Sequence, residues 1–149
     1  GITVWLKGNR VSRNQIMAIK EESVTDQKNS LTVCLDNILR HAGITRNTEY
    51  DLAQGKTAIQ ILEENMTGVQ VLDLSGCSLD AVLYYVNQDI PVLAILEDGE
   101  AVLVTGFNEF NVVIMEPSTG KLYKKGMNDA TTWFAENGNH FISYMKIDN

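Results

Sequence analysis

The stretch at residues 30–44, SLTVCLDNILRHAGI, decides how this chain is to be read. Leu31, Cys34, Leu35, Ile38, Leu39 and Ala42 recur at steps of three and four, which puts them in one apolar stripe along a helix. Asn29 or Ser30 supplies the N-cap, because a short polar side chain can accept from an amide of the first turn. Gly43 supplies the stop, with Arg40 and His41 in the last turn, where positive charge meets the negative end of the helix dipole. Cys34 lies inside the stripe and is most simply a small core residue.

Working outward, residues 1–30 carry mixed signals. ITVWL at 2–6 alternates like a strand, and Ile16, Met17 and Ile19 fit a short helix or an edge strand. Downstream, TEYDLAQG and KTAIQILEENM predict two more helices, VQVLDL a short strand, and SLDAVLYYVNQD a helix capped by Ser78. IPVLAIL, AVLVTGF, NVVIME and KLYKK then predict four strands, separated by turns at EDGE, FNEFN and PSTG. The first two are apolar throughout, as expected of strands covered on both faces. NDATTWFAENG predicts a last helix with an Asn or Asp cap and Gly138 as stop, and HFISYMKI a closing strand. Helices first, antiparallel strands later and one late helix make an α+β domain.

The bulk properties narrow the function. The chain has 149 residues, 44% of them hydrophobic, enough for one domain with a sizeable core. Nineteen acidic residues against twelve basic give a net charge of −7, which disfavours nucleic acid as a partner. The basic residues Lys124-Lys125 and the scattered Lys7, Arg10 and Arg13 read as solvated edges. No apolar run is long enough to span a bilayer, and the opening GITVWLKGNR does not read as a secretory leader. Cys34, Cys77, His41 and His140 show no metal-ligand spacing, so neither a metal nor a cofactor is expected. QGKT at 54–57 lacks the earlier glycine of a phosphate loop, since that position is Tyr50. SGCS at 75–78 is a turn into a helix and not a nucleophile elbow.

The order and spacing of these segments resemble the papain-like cysteine peptidase fold, and within it the peptidases that process bacteriocin leaders. That pattern opens with a helix whose first residue is the nucleophilic Cys and which ends thirteen residues later at Gly. SLTVCLDNILRHAGI matches it with Ser30 at the Cys position. A helix leading into an apolar Pro-Val strand is matched by SLDAVLYYVNQDIPVLAIL. The segment that opens with the catalytic His and runs to Gly and an aromatic is matched by EAVLVTGFN, with Glu100 in place of His. The strand that ends Asp-Pro is matched by NVVIMEP, with Glu116 in place of Asp. The family's oxyanion-hole Gln falls on Val24, with Gln27 near but out of register. The resemblance covers residues 24–147, which implies a peptidase-like domain at 24–149 preceded by an N-terminal extension or linker strand at 1–23.

The substituted residues bear on the chemistry. A serine is a weaker nucleophile than a thiolate and needs a base to activate it. A glutamate carboxyl titrates near about 4.3 and an imidazole near about 6.5, so Glu100 is a poor proton donor to a leaving amine near neutral pH. A second carboxylate, Glu116, adds repulsion where the family has an orienting group. The expectation is a catalytically inactive domain that binds a peptide or protein segment, or serves as a structural module of a larger bacterial protein. The resemblance implies a cell-surface or secreted setting. The competing reading is a divergent cysteine or serine hydrolase using Cys34 or Ser30. A hard cation held by Glu100, Glu116 and Asp98 is a further alternative.

Overall fold

The computed structural model describes residues 29–147 together with the two-residue strand β1, Gln15–Ile16. The strand expected at 2–6, the boundary at 23/24 and the Val24 and Gln27 positions lie outside the described residues.

Helix α1, Ser30–His41, forms where the apolar stripe predicts it. Asn29 is the cap, its Oδ1 accepting from the Thr32 N–H at 3.0 Å. At the other end Gly43 adopts φ +87°, a left-handed conformation that glycine enters without steric cost. The Ile44 N–H then donates to Leu39 C=O at 2.8 Å and the Gly43 N–H to Arg40 C=O at 2.9 Å, the two bonds of a Schellman turn. Helix α2, Glu49–Ala53, is tied back to α1. The buried Asp36 Oδ1 accepts from both the N–H and the hydroxyl of Thr48, each at 2.8 Å. Helix α3, Ala58–Asn65, opens with a capping box between Thr57 and Gln60. Helix α4, Leu79–Val86, is capped by Ser78, whose Oγ accepts from the Ala81 N–H.

Helix α5, Met127–Glu136, corrects one expectation. Its cap is Gly126, with no capping side chain, and Asn128 and Asp129 fall inside the first turn. The physical reason is tertiary: the Met127 N–H, free at a helix start, donates to Phe110 C=O at 2.8 Å across the preceding hairpin. Asp129 still favours the positive end of the helix dipole.

The strands β2 (Val69–Asp73), β3 (Val92–Ile95), β4 (Ala101–Phe107), β5 (Asn111–Glu116), β6 (Lys121–Gly126) and β7 (His140–Lys146) form an antiparallel sheet in the order β2-β7-β3-β4-β5-β6. The closing strand β7 therefore lies inside the sheet, between β2 and β3. β1 pairs with the far end of β4, Gln15 opposite Phe107 and Ile16 opposite Gly106. Because β5 holds the other edge of β4 at those positions, β1 continues the edge that β3 leaves free.

All seven residues of β4 are buried, which requires cover on both faces of the sheet. The helices pack as two pairs, α1 with α3 and α4 with α5. Phe141 of β7 meets Phe134 of α5 with ring centroids 5.3 Å apart. Its alternating neighbours His140, Ile142 and Tyr144 therefore belong to the opposite face, the one under α1 and α3. The fold is α+β, a helical N-terminal half packed on a mainly C-terminal antiparallel sheet. Among the described residues no helix is long and apolar enough to cross a membrane.

Candidate functional site

Ser30 is the first residue of α1, half-buried, and its Oγ accepts from the Ala101 N–H at 2.8 Å across 71 residues of chain. The peptide between Glu100 and Ala101 explains this bond. Its carbonyl turns toward β3 and accepts from the Leu96 N–H at 2.8 Å, so its N–H points the other way. The Ser30 hydroxyl satisfies that amide at the start of β4. One lone pair of the candidate nucleophile is thereby committed to a backbone donor, and its proton has no imidazole beside it to accept it.

The sheet brings the other two substituted positions to the same end. β4 begins directly after Glu100 and β5 ends at Glu116, with Leu103 opposite Met115 in the antiparallel register. Glu100 is exposed, and its N–H donates to Asp98 Oδ1 at 2.9 Å in the hairpin turn. Glu116 Oε1 accepts from the Ser118 N–H at 3.2 Å. The Glu116 carboxylate also lies close enough to α1 to act on Cys34. Burial pushes the Cys34 thiol well above its ordinary value, and the negative charge of Glu116 pushes it further. Cys34 is fully buried, one turn below Ser30. A thiol held protonated and away from solvent is unsuited to nucleophilic attack. Cys34 and Cys77 are both free, so no disulfide joins them.

The histidines stand elsewhere. His41 ends α1, and its Nε2 donates to Asp89 C=O at 3.0 Å. His140 opens β7 on the face of Ala101, since Ile95 is paired with both residues. Two strand spacings, about 10 Å, thus separate the two backbones. The His140 imidazole is half exposed, with Nε2 3.9 Å from Glu97 Oε2. It lines a hollow of about 390 Å³ with Asp73, Ser75, Glu97, Gly99 and the apolar Ile95 and Ile142, on the α1 face beside the β3–β4 turn. The Ser75 hydroxyl and N–H hold the Asp73 carboxyl below its usual range. Among the described residues no three His, Cys, Asp or Glu side chains converge as a metal site, so Glu100, Glu116 and Asp98 do not form a ligand set.

Sequence spacing points to Ser30, Glu100 and Glu116. It misses the hollow beside them, whose walls come from β2, β3 and β7. These segments are far apart in the chain, and no local pattern marks them. The Ala101 N–H is equally silent, because a backbone donor leaves no trace in residue identity.

Helix start, strand start and neighbouring strand end meet at one place, on a fold that matches that of a C39-like peptidase structure. The chain superposes on the crystal structure of a "putative C39-like peptidase" from Bacillus anthracis with a TM-score of 0.71, covering 90% of this chain and 98% of that one at 14% identity. No protein-family pattern and no curated protein matches the sequence. At that identity the likeness is one of fold.

Proposed function

We propose that this chain is a catalytically silent peptidase-fold domain, similar to the bacteriocin-leader-processing peptidases, that holds an extended peptide or protein segment at the Ser30 end of the sheet. It is a module of a larger bacterial protein, in a cell-surface or secreted setting. The observation that carries the reading is the bond from the Ala101 N–H to Ser30 Oγ, next to Glu100 where the resembling family has its histidine. That serine acts as a structural acceptor, and the adjoining carboxylate is a poor proton shuttle. The hollow next to this point gives a segment room to lie, with apolar floor from Ile95 and Ile142. The substituted triad and the buried Cys34 weigh against the hydrolase alternative.

Incubation with a diverse peptide library that includes double-glycine leader sequences tests both parts. Binding is followed by fluorescence anisotropy and cleavage by mass spectrometry. Micromolar binding of intact peptide is the expected result. Cleavage that disappears in Ser30→Ala overturns the silent reading, and a library with no binder overturns the peptide reading.

A further inference from the structure

The opposite end of α1 carries a second hollow, of about 650 Å³. A twelve-residue helix separates it from Ser30 by about 18 Å. One wall is β7, where Tyr144 and Lys146 point to the same face. The end of α1, the turn after α3 and the loop after α4 supply the others, with Ile44 and Met66 as apolar lining. Tyr144 is only 3% exposed, yet its hydroxyl has no hydrogen-bond partner among the described residues and is not sealed from solvent. It lines the hollow as a donor that solvent reaches, so a bound acceptor can take the place of water there. Burial, and then the charge of Asp89, push the Tyr144 phenol above its usual range, so it remains a donor.

The charges in this hollow are of both signs. Asp89 stands beside the carboxyl end of α1, whose dipole adds negative potential, and Lys146 stands on β7. His41 pins the Asp89 loop through its Nε2–H to the Asp89 carbonyl, so that wall is held before any ligand arrives. We propose that this hollow binds a small amphipathic zwitterion of about dipeptide size. Its ammonium meets Asp89, its carboxylate meets Lys146 and the Tyr144 hydroxyl, and its apolar body rests on Ile44 and Met66. The proposal is independent of the peptide reading at Ser30, which concerns the other end of the helix.

Titration of the whole 149-residue chain with leucyl-leucine, followed by amide chemical shifts, tests it. Saturable shifts are expected at Gly68 and Lys146, with Ala101 unmoved. Blocking either end of the dipeptide, by N-acetylation or C-amidation, removes one charge-assisted contact and weakens binding by about tenfold. Tyr144→Phe and the exposed Lys146→Gln weaken it in the same direction, and the second leaves the thermal midpoint unchanged. No saturable shift at millimolar ligand overturns the proposal, as does equal binding of the blocked dipeptides. Shifts confined to Ala101 and its neighbours also overturn it, and assign the ligand to the Ser30 end instead.

Discussion

Ser30 and Cys34 stand one helical turn apart and meet opposite surroundings. Ser30 sits at the helix mouth with its oxygen bonded to a strand amide, while Cys34 lies among Leu35, Ile38 and the sheet with no exposure at all. The period of the stripe already predicts the second environment, since i and i+4 positions share a face. It says nothing about the first, because the Ala101 amide arrives from a strand 71 residues away. In a Cys77→Ser background, which removes the half-buried second thiol, Cys34 is expected to react slowly with a thiol reagent in the native fold and quickly after unfolding. Its native reactivity should rise only at pH well above the ordinary thiol range, because burial and Glu116 both favour the protonated form. Rapid neutral-pH labelling that is lost on unfolding would mark Cys34 as an activated nucleophile and sink this account.

At the scale of elements, the helices are held at their ends by specific chemistry. The Schellman turn after α1 depends on Gly43 at φ +87°. An L-residue there pays a left-handed penalty, so Gly43→Ala is expected to lower unfolding free energy by about 1–2 kcal/mol in urea titration. Gly126→Ala is the control: its φ is −56°, and an added Cβ meets only Asp129 at 3.6 Å, an ordinary contact. Equal losses at the two glycines would remove the conformational explanation. The end of α1 is legible because Gly43 follows the last apolar residue of the stripe. The start of α5 is not, because its first amide is satisfied by Phe110 C=O on a neighbouring hairpin, and the nearby Asn128 and Asp129 mimic a cap they do not form.

Across the whole molecule, the titratable groups that folding shifts set the range of pH over which the fold is stable. Burial raises Cys34, Tyr85, Tyr123 and Tyr144 above their usual values. A group raised on folding contributes stability that is present below its unfolded pKa, about 8.5 for a thiol and about 10 for a phenol, and lost as pH rises through its folded pKa. The Arg46 guanidinium holds the Asp51 carboxyl below its usual range, and Ser75 does the same for Asp73. Those two contribute stability above about pH 3.9 that is lost as pH falls through their folded values. Urea midpoints should therefore form a plateau around neutrality and fall on both sides, the alkaline fall beginning above about pH 8.5. A midpoint that holds steady into strong alkali would show that Cys34 and Tyr144 are not buried as described.

What the sequence by itself determined is local. The periods of three-to-four and two residues, the glycine stops and the polar caps are enough to mark each helix and strand from α1 to β7, because each depends on neighbours a few residues away. Their order and spacing also single out Ser30, Glu100 and Glu116 as a group, through likeness to a known pattern. Only the tertiary structure decided that β7 enters between β2 and β3, that β1 prolongs an edge of β4, and that the Ser30 hydroxyl serves a backbone amide. The physical reason is the same in each case. Strand pairing joins backbone to backbone, and the amide that Ser30 serves is a backbone group too, so the groups that call for these contacts are common to every residue.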